Sequence, residues 1–583
     1  MIRNNTLRRA LNRASSHRTL AFALAGFGLA FATAMPAHAQ SSTAPVNLDL
    51  GAVLSTGTGS AADLATTPGT APYEAPSLTP LNATQPTSVV NKNTISNQFI
   101  GTASYADIAT LTPSVATISP NGQGLSEANG PSIRGFQDGQ YNVTLDGIPF
   151  GDSNDFTHHS TSFFTAGQIG QTIVDRGPGT AETVGDATFG GTISVRTIDP
   201  SATRSVTPYG EWGSYDTYMG GMTLNTGSIQ SANGTSAVVD AEHIKSNGAL
   251  TNTGQDRSNF FGKIVIPVGN NTTVTLLADY NHIYQNFDSG ATAQQIATYG
   301  SNYGNSGDPT SQSYYKYNAD HITTDMEYID VQSNLNNGLL YDGKIYTYGY
   351  YHHGLNGLDY GGGIPNLVMY SPTGTEVSGV PGQQMKMDYR SVGTIQRLEK
   401  DFNWGDVKAG VWFDHQVNTR YQAEVILNAG NVPNYDLNTS GNSITAANNN
   451  GTIDRLQHNQ LYTFQPYSQL DWKPIDGLTL TAGLKYAFFK RALNAPVNQG
   501  TGITQHYQHN YDRMLPSFEA KYNFNPNLST YFQAAEGFLA PNLNTLYVTN
   551  ITANALKPQT TLNFQTGMAY QGQHLALGGD IYN

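Results

Sequence analysis

The chain has 583 residues, room for several domains, yet only 12% are Asp, Glu, Lys or Arg, about half the share usual in soluble globular proteins. Its net charge of −13 falls by five, to about −18, once the five arginines of an acid-free leader are set aside, which makes a poor surface for nucleic acid. With no Cys there are no disulfides, thiolate metal sites or Cys nucleophiles, and a mean hydropathy of −0.37 with no second long apolar run excludes a helical membrane protein.

Arg3, Arg8, Arg9, Arg13 and Arg18 precede an apolar stretch, Leu20 to Ala34, and the small-x-small site Ala37-His38-Ala39, so residues 1–39 read as a signal peptide with Gln40 as the mature N-terminus. Residues 40–80 are rich in Ser, Thr, Ala, Gly and Pro and read as a flexible arm. Within it, Leu48-Asp49-Leu50-Gly51-Ala52-Val53-Leu54-Ser55 alternates apolar residues and could add to a partner sheet as an edge strand. From 81 to 202, short β runs (Asn142 to Leu145, Thr172 to Val174, Thr192 to Arg196) between Gly-rich turns, with a helix around Tyr105 to Leu111, predict a small mixed α+β domain.

From 203 to 583, period-two segments dominate. Leu478, Leu480, Ala482, Leu484, Tyr486 and Phe488 alternate with Thr479, Thr481, Gly483 and Lys485, and the pattern recurs at Val274 to Tyr280 and Val407 to Phe413. One face suits lipid and the other water. Tyr346, Tyr348, Tyr350, Trp412 and Trp472 stand where interfacial aromatic girdles are expected. Tight turns (Pro474-Ile475-Asp476-Gly477, Asn525-Pro526-Asn527) alternate with long polar connections near 284–325, 352–387 and 417–460, which describes an outer-membrane barrel; a soluble β-sandwich or solenoid is the competing reading of periodicity alone.

Four motifs in the 81–202 domain decide between these. Ile133-Arg134-Gly135-Phe136, Val143 to Pro149 (VTLDGIP), Val174 to Thr180 (VDRGPGT) and Phe189 to Val195 (FGGTISV) resemble the plug of TonB-dependent outer-membrane receptors. Leu515-Pro516, Glu536 to Asn542 and Leu556-Lys557-Pro558 resemble that family's late barrel strands. The resemblance implies a transmembrane antiparallel β-barrel of the 22-stranded type with the mixed α+β plug inside it. Dividing 381 barrel residues among about 22 strands leaves too few for the long loops; 14 to 16 strand-like runs are visible, and a chain truncated at its C-terminus is the expectation.

The same resemblance implies that Arg134 and Arg176 lock the plug to barrel carboxylates. Gln559 and Gln565 stand where Glu is expected, leaving Glu519 or Glu536 as substitutes or a weaker neutral Arg–Gln contact. It implies that Leu48 to Ser55 is a TonB box engaging the energy-transducing TonB protein. Phe150, Asp152, Asp155, His158 and His159, after the Asp-Gly-Ile-Pro motif, and Tyr360, in a loop opened by His352 and His353, are the ligand-facing candidates, suited to hydrogen-bonding a polar chelate. Adjacent His158 and His159 point apart in extended chain, so no metal or cofactor is assigned, and no catalytic constellation is visible. The expected function is energy-coupled import of a scarce nutrient, a ferric siderophore first, with heme, cobalamin, a saccharide or another metal chelate as alternatives; a passive porin or surface adhesin is the rival class.

Overall fold

The computed structural model describes residues 66–583 except 128, 288–289, 360, 362–365, 371–375, 430–452 and 547–556. The leader, the candidate box Leu48 to Ser55, Tyr360 and Leu556 lie outside the described residues.

The N-terminal part of the described chain folds as a five-stranded sheet in the order Thr87–Asn91, Ile169–Asp175, Thr192–Thr197, Asn142–Leu145, Ile148–Pro149. Its pairings are antiparallel except between Asn142–Leu145 and Thr192–Thr197. Two short helices cover it. Lys92–Gln98 starts where the Asn91 side chain accepts from the Thr94 N–H at 2.8 Å, and Tyr105–Ala109 starts with a capping box between Ser104 and Asp107. The second helix stops short of Leu111 because Thr112-Pro113 follow, and the residue before a proline is pushed out of the α region. Val90, Ile95, Ile108, Ile133, Val143, Val174 and Ile193 fill the core, each contributing about 1.5–3 kcal/mol by leaving water.

Among the described residues, the remainder is one meander of fifteen antiparallel strands running in sequence order from Arg204–Gly213 to Ala576–Tyr582, with a separate hairpin of Leu367–Tyr370 and Glu376–Gly379. Its burial is inverted relative to a soluble sheet. Leu484 is 43% exposed while its neighbour Lys485 is 3% exposed, and Phe532 is 39% exposed beside a wholly buried Gln533. Apolar side chains therefore face outward and polar ones inward, the arrangement of a wall between lipid and a polar lumen. No described helix is long and apolar enough to cross a membrane.

Turns at one end are short, as at Val268 to Thr272, Phe402 to Gly405, Ile475 to Leu478 and Asn525 to Leu528, while the opposite ends are joined by connections such as Gln285 to Ala319 and Gly357 to Pro381. The strands run further into the predicted loops than the sequence suggested: Leu339–Gly357, Pro381–Phe402 and Gly405–Ile426 are 19, 22 and 22 residues long, so His352 and His353 are strand residues. The girdle reading is corrected for four aromatics. Tyr346, Tyr348, Tyr350 and Trp412 occupy the inward parity and pack against the N-terminal domain, whereas Trp472 faces outward.

Candidate functional site

The N-terminal domain is held inside the wall by separate polar contacts at several heights. Nearest the last strand, Arg134 reaches Asp580 Oδ1 through Nη2 at 2.5 Å, and Arg176 reaches Asp580 Oδ2 at 3.3 Å. Arg134 Nη1 also donates to Gln565 Oε1 at 3.0 Å and to the Arg176 carbonyl at 2.5 Å, and its guanidinium lies 3.6 Å from the Tyr582 ring centre. Arg176 Nη1 donates to Ser88 Oγ at 2.8 Å. Arg134 has φ +51°, an uncommon conformation for a residue with a Cβ, which turns the chain sharply before Gly135. Burial lowers the Arg134 pKa, against the raising effect of Asp580.

The expected Arg–Gln contact is thus present, joined by a carboxylate that the sequence did not single out. Glu536 is corrected. Gln533 faces the lumen, so Glu536, an odd number of residues along the same strand, faces away and pairs with Arg513 Nη2 at 2.6 Å. Glu519 joins indirectly: Gln533 donates to it at 3.3 Å and accepts from Gln565, which accepts from Arg134.

A second anchor forms at the Asp-Gly-Ile-Pro turn. Asp146 accepts from the Thr197 N–H at 2.8 Å, Thr197 Oγ1 at 2.6 Å and Tyr328 OH at 2.9 Å, and lies 3.7 Å from Lys263 Nζ. Burial would raise the Asp146 pKa, but Lys263 and the Thr197 bonds outweigh it and hold it below the usual carboxylate range. A third pairs Glu182 with Lys408 at 3.2 Å, and Lys408 also meets Asp471 at 3.0 Å. Beside it, at the short-turn end, a cavity of about 440 Å³ separates Thr87, Glu182 and Arg196 from Arg397, Asp406 and Lys473 of the wall.

The loop-side apex holds the predicted ligand-facing residues, and most of them are turned inward. Asp152 is buried, ion-paired with Arg420 and bonded to Asn418 Nδ2 at 2.5 Å. Gln416 Nε2 and Arg491 Nη1 donate to the carbonyls of Gly151 and Ser153 at 2.8 and 2.6 Å. Phe150 packs edge-on to Phe163 and Tyr348, and His158 is buried with Nδ1 2.5 Å from Asp138 Oδ1. These three are packing and anchoring groups, because the segment that carries them is gripped by the wall from several strands. Asp155 and His159 remain partly exposed. His159 pairs with Glu127 at 3.0 Å and stacks on Tyr350 at 4.4 Å. Burial would lower its pKa, yet Glu127, Asp152 and Asp155 raise it to about 9.

Comparison with known proteins identifies the architecture. The family description "TonB dependent receptor-like, beta-barrel" matches residues 259–583 and "TonB-dependent Receptor Plug Domain" matches 79–192. The chain belongs to the TonB-dependent receptor family, whose fold is that of outer-membrane transport receptors, not enzymes. A curated relative, an uncharacterized TonB-dependent receptor of Haemophilus influenzae, is 27% identical over 158 residues; the match covers 27% of this chain and 44% of the relative's length. Among solved structures, the fold is similar to the unliganded ferric citrate transporter FecA (TM-score 0.68, 14% identity, 86% of this chain and 70% of that one). It is also similar to the ferric-catecholate import receptor Fiu of E. coli K12 in its open form (0.63, 15%, 86% and 74%) and the ferric yersiniabactin uptake receptor FyuA of Yersinia pestis (0.62, 14%, 86% and 72%).

Proposed function

We propose that this protein is exported by cleavage of residues 1–39, resides in the outer membrane, and imports a scarce chelated nutrient, a ferric siderophore first, when TonB pulls the arm through Leu48 to Ser55. The observation that carries the reading is a folded plug lodged in a polar lumen by discrete ion pairs. Such pairs at Asp580, Lys263 and Lys408 hold a closed state alongside the apolar contacts between plug and wall, and they are interactions that water can replace when the two part. Ferric chelates lead the substrate list because FecA, Fiu and FyuA carry them by name; heme, cobalamin or a saccharide would use the same architecture.

The test is whole-cell uptake of a panel of labelled ferric chelates, heme and cobalamin, with and without deletion of residues 48–55. Energy-dependent uptake of one ligand, lost in the deletion, is the expected result. Uptake indifferent to the deletion discards the box, and steady ion conductance without an energised partner returns the passive porin.

A further inference from the structure

Above the plug apex, three wall strands bring an unusual donor set to one point of the lumen. In Pro381–Phe402, Met385 and Met387 are two residues apart and so share the inward face with the buried Tyr389. The register sets Asp320, Gly354 and Met385 in one row across three strands, and Ile322, His352 and Met387 in the next. His352 Nε2 lies 2.7 Å from Asp320 Oδ1. Gly354, having no side chain, leaves a notch: a Cβ there would stand 2.6 Å from Asp320 Oδ1 and 3.2 Å from Met385 Sδ. A carboxylate and a thioether therefore lean over the same glycine, and the imidazole meets that carboxylate oxygen.

Asp320 is buried, while His352, Met385 and Met387 are half-buried. The other Asp320 oxygen accepts from Gln285 Nε2 at 3.4 Å. Gln285 is only 5% exposed, and its Oε1 has no hydrogen-bond partner. An unsatisfied buried amide beside a carboxylate–imidazole pair marks a polar recess rather than packing.

We propose that this recess is a copper site formed by His352, Asp320 and Met385, with Met387 flanking it. The thioether selects Cu(I) and the imidazole also suits copper, whereas magnesium and calcium prefer oxygen alone. Binding at Nε2 replaces the hydrogen bond that now joins His352 to Asp320, because a ligating imidazole nitrogen carries no proton. The site also touches the plug through one ring: Tyr350 lies edge-on to His352 at 5.9 Å and stacks on the plug's His159 at 4.4 Å. The inference rests on the reading that the loop-side mouth receives the cargo, but its test needs neither TonB nor uptake, so the two fail separately.

The full chain in detergent is titrated with Cu(I) against a chromophoric Cu(I) chelator, and the copper environment is read by X-ray absorption. His352→Gln and Met385→Leu are the test variants. His458→Gln, an exposed residue on the outward face, is the control, and the tryptic pattern of the plug confirms folding. Wild type and control retain one equivalent with a sulfur scatterer. Each test variant loses about tenfold or more in affinity, and Met385→Leu loses the sulfur signal. Surrender of all copper by the folded wild type, or retention by both test variants at wild-type strength, overturns the site.

Discussion

Among the described residues, Asp580 is the one carboxylate that pairs with both Arg134 and Arg176, so Asp580→Ala isolates the latch. The side chains of Arg134 and Arg176 are 4% and 3% exposed, and that of Asp580 is 17% exposed. Removing one partner of a buried pair costs about 3–5 kcal/mol when the orphaned charge has nowhere to turn. Here it is partly compensated: Arg134 keeps Gln565, the Arg176 carbonyl and the Tyr582 ring, and Arg176 keeps Ser88. A net loss of about 2–3 kcal/mol in plug seating follows, which at 1.4 kcal/mol per decade raises the loosened population by about 30- to 150-fold. The assay is limited proteolysis of the plug in detergent, with entry of a bulky antibiotic into cells as the second readout. Proteolysis and permeability both unchanged in Asp580→Ala would refute the latch.

The other predictions concern pH and lipid. Asp146 has a folded pKa below its unfolded value, so its contribution is present above about pH 3.9 and lost as pH falls through the folded value; plug protection should drop on acidification below that pH, and Asp146→Asn should remove the step. His159 has a folded pKa raised to about 9, so its contribution is complete below about pH 6.5 and lost between there and 9; His159→Gln should flatten plug stability across that window in a protease-protection series. Leu484→Lys puts a charge on the outward face and should cost up to about 2–4 kcal/mol at mid-bilayer depth, read as impaired assembly on heat-modifiability gels, whereas a soluble protein would tolerate it.

The wall was legible because its signal is local. Leu478 to Phe488 alternates in the sequence as it does in space, and from Thr481 onward burial follows that alternation residue by residue. The plug motifs were legible because tight turns at Gly135 and Gly147 leave glycine in the text. Long-range partners were not. Nothing near Asp580 or Lys263 in the chain signals Arg134 or Asp146, since those contacts are set by how the wall packs against the plug. The loops expected from 352 and from 417 start too early for one cause: polar residues at strand ends, His352 to Gly357 and Val417 to Ile426, read as loop, yet the strands continue past the expected apolar band. The apex residues misled for a further reason, because a wall lined with Gln416, Asn418, Arg420 and Arg491 can satisfy Asp152 and its neighbouring carbonyls internally.

In the proposed transport cycle the plug parts from the wall to let cargo pass, and a cross-link tests that directly. Ala187 of the plug and Leu539 of the wall form an antiparallel bridge, placing their Cα atoms roughly 4.5–5.5 Å apart, within disulfide reach, and the chain has no native Cys to compete. In Ala187→Cys/Leu539→Cys, uptake of the transported ligand should stop on oxidation and return on reduction, with surface binding intact throughout. Uptake that proceeds unchanged with the disulfide formed would contradict the account.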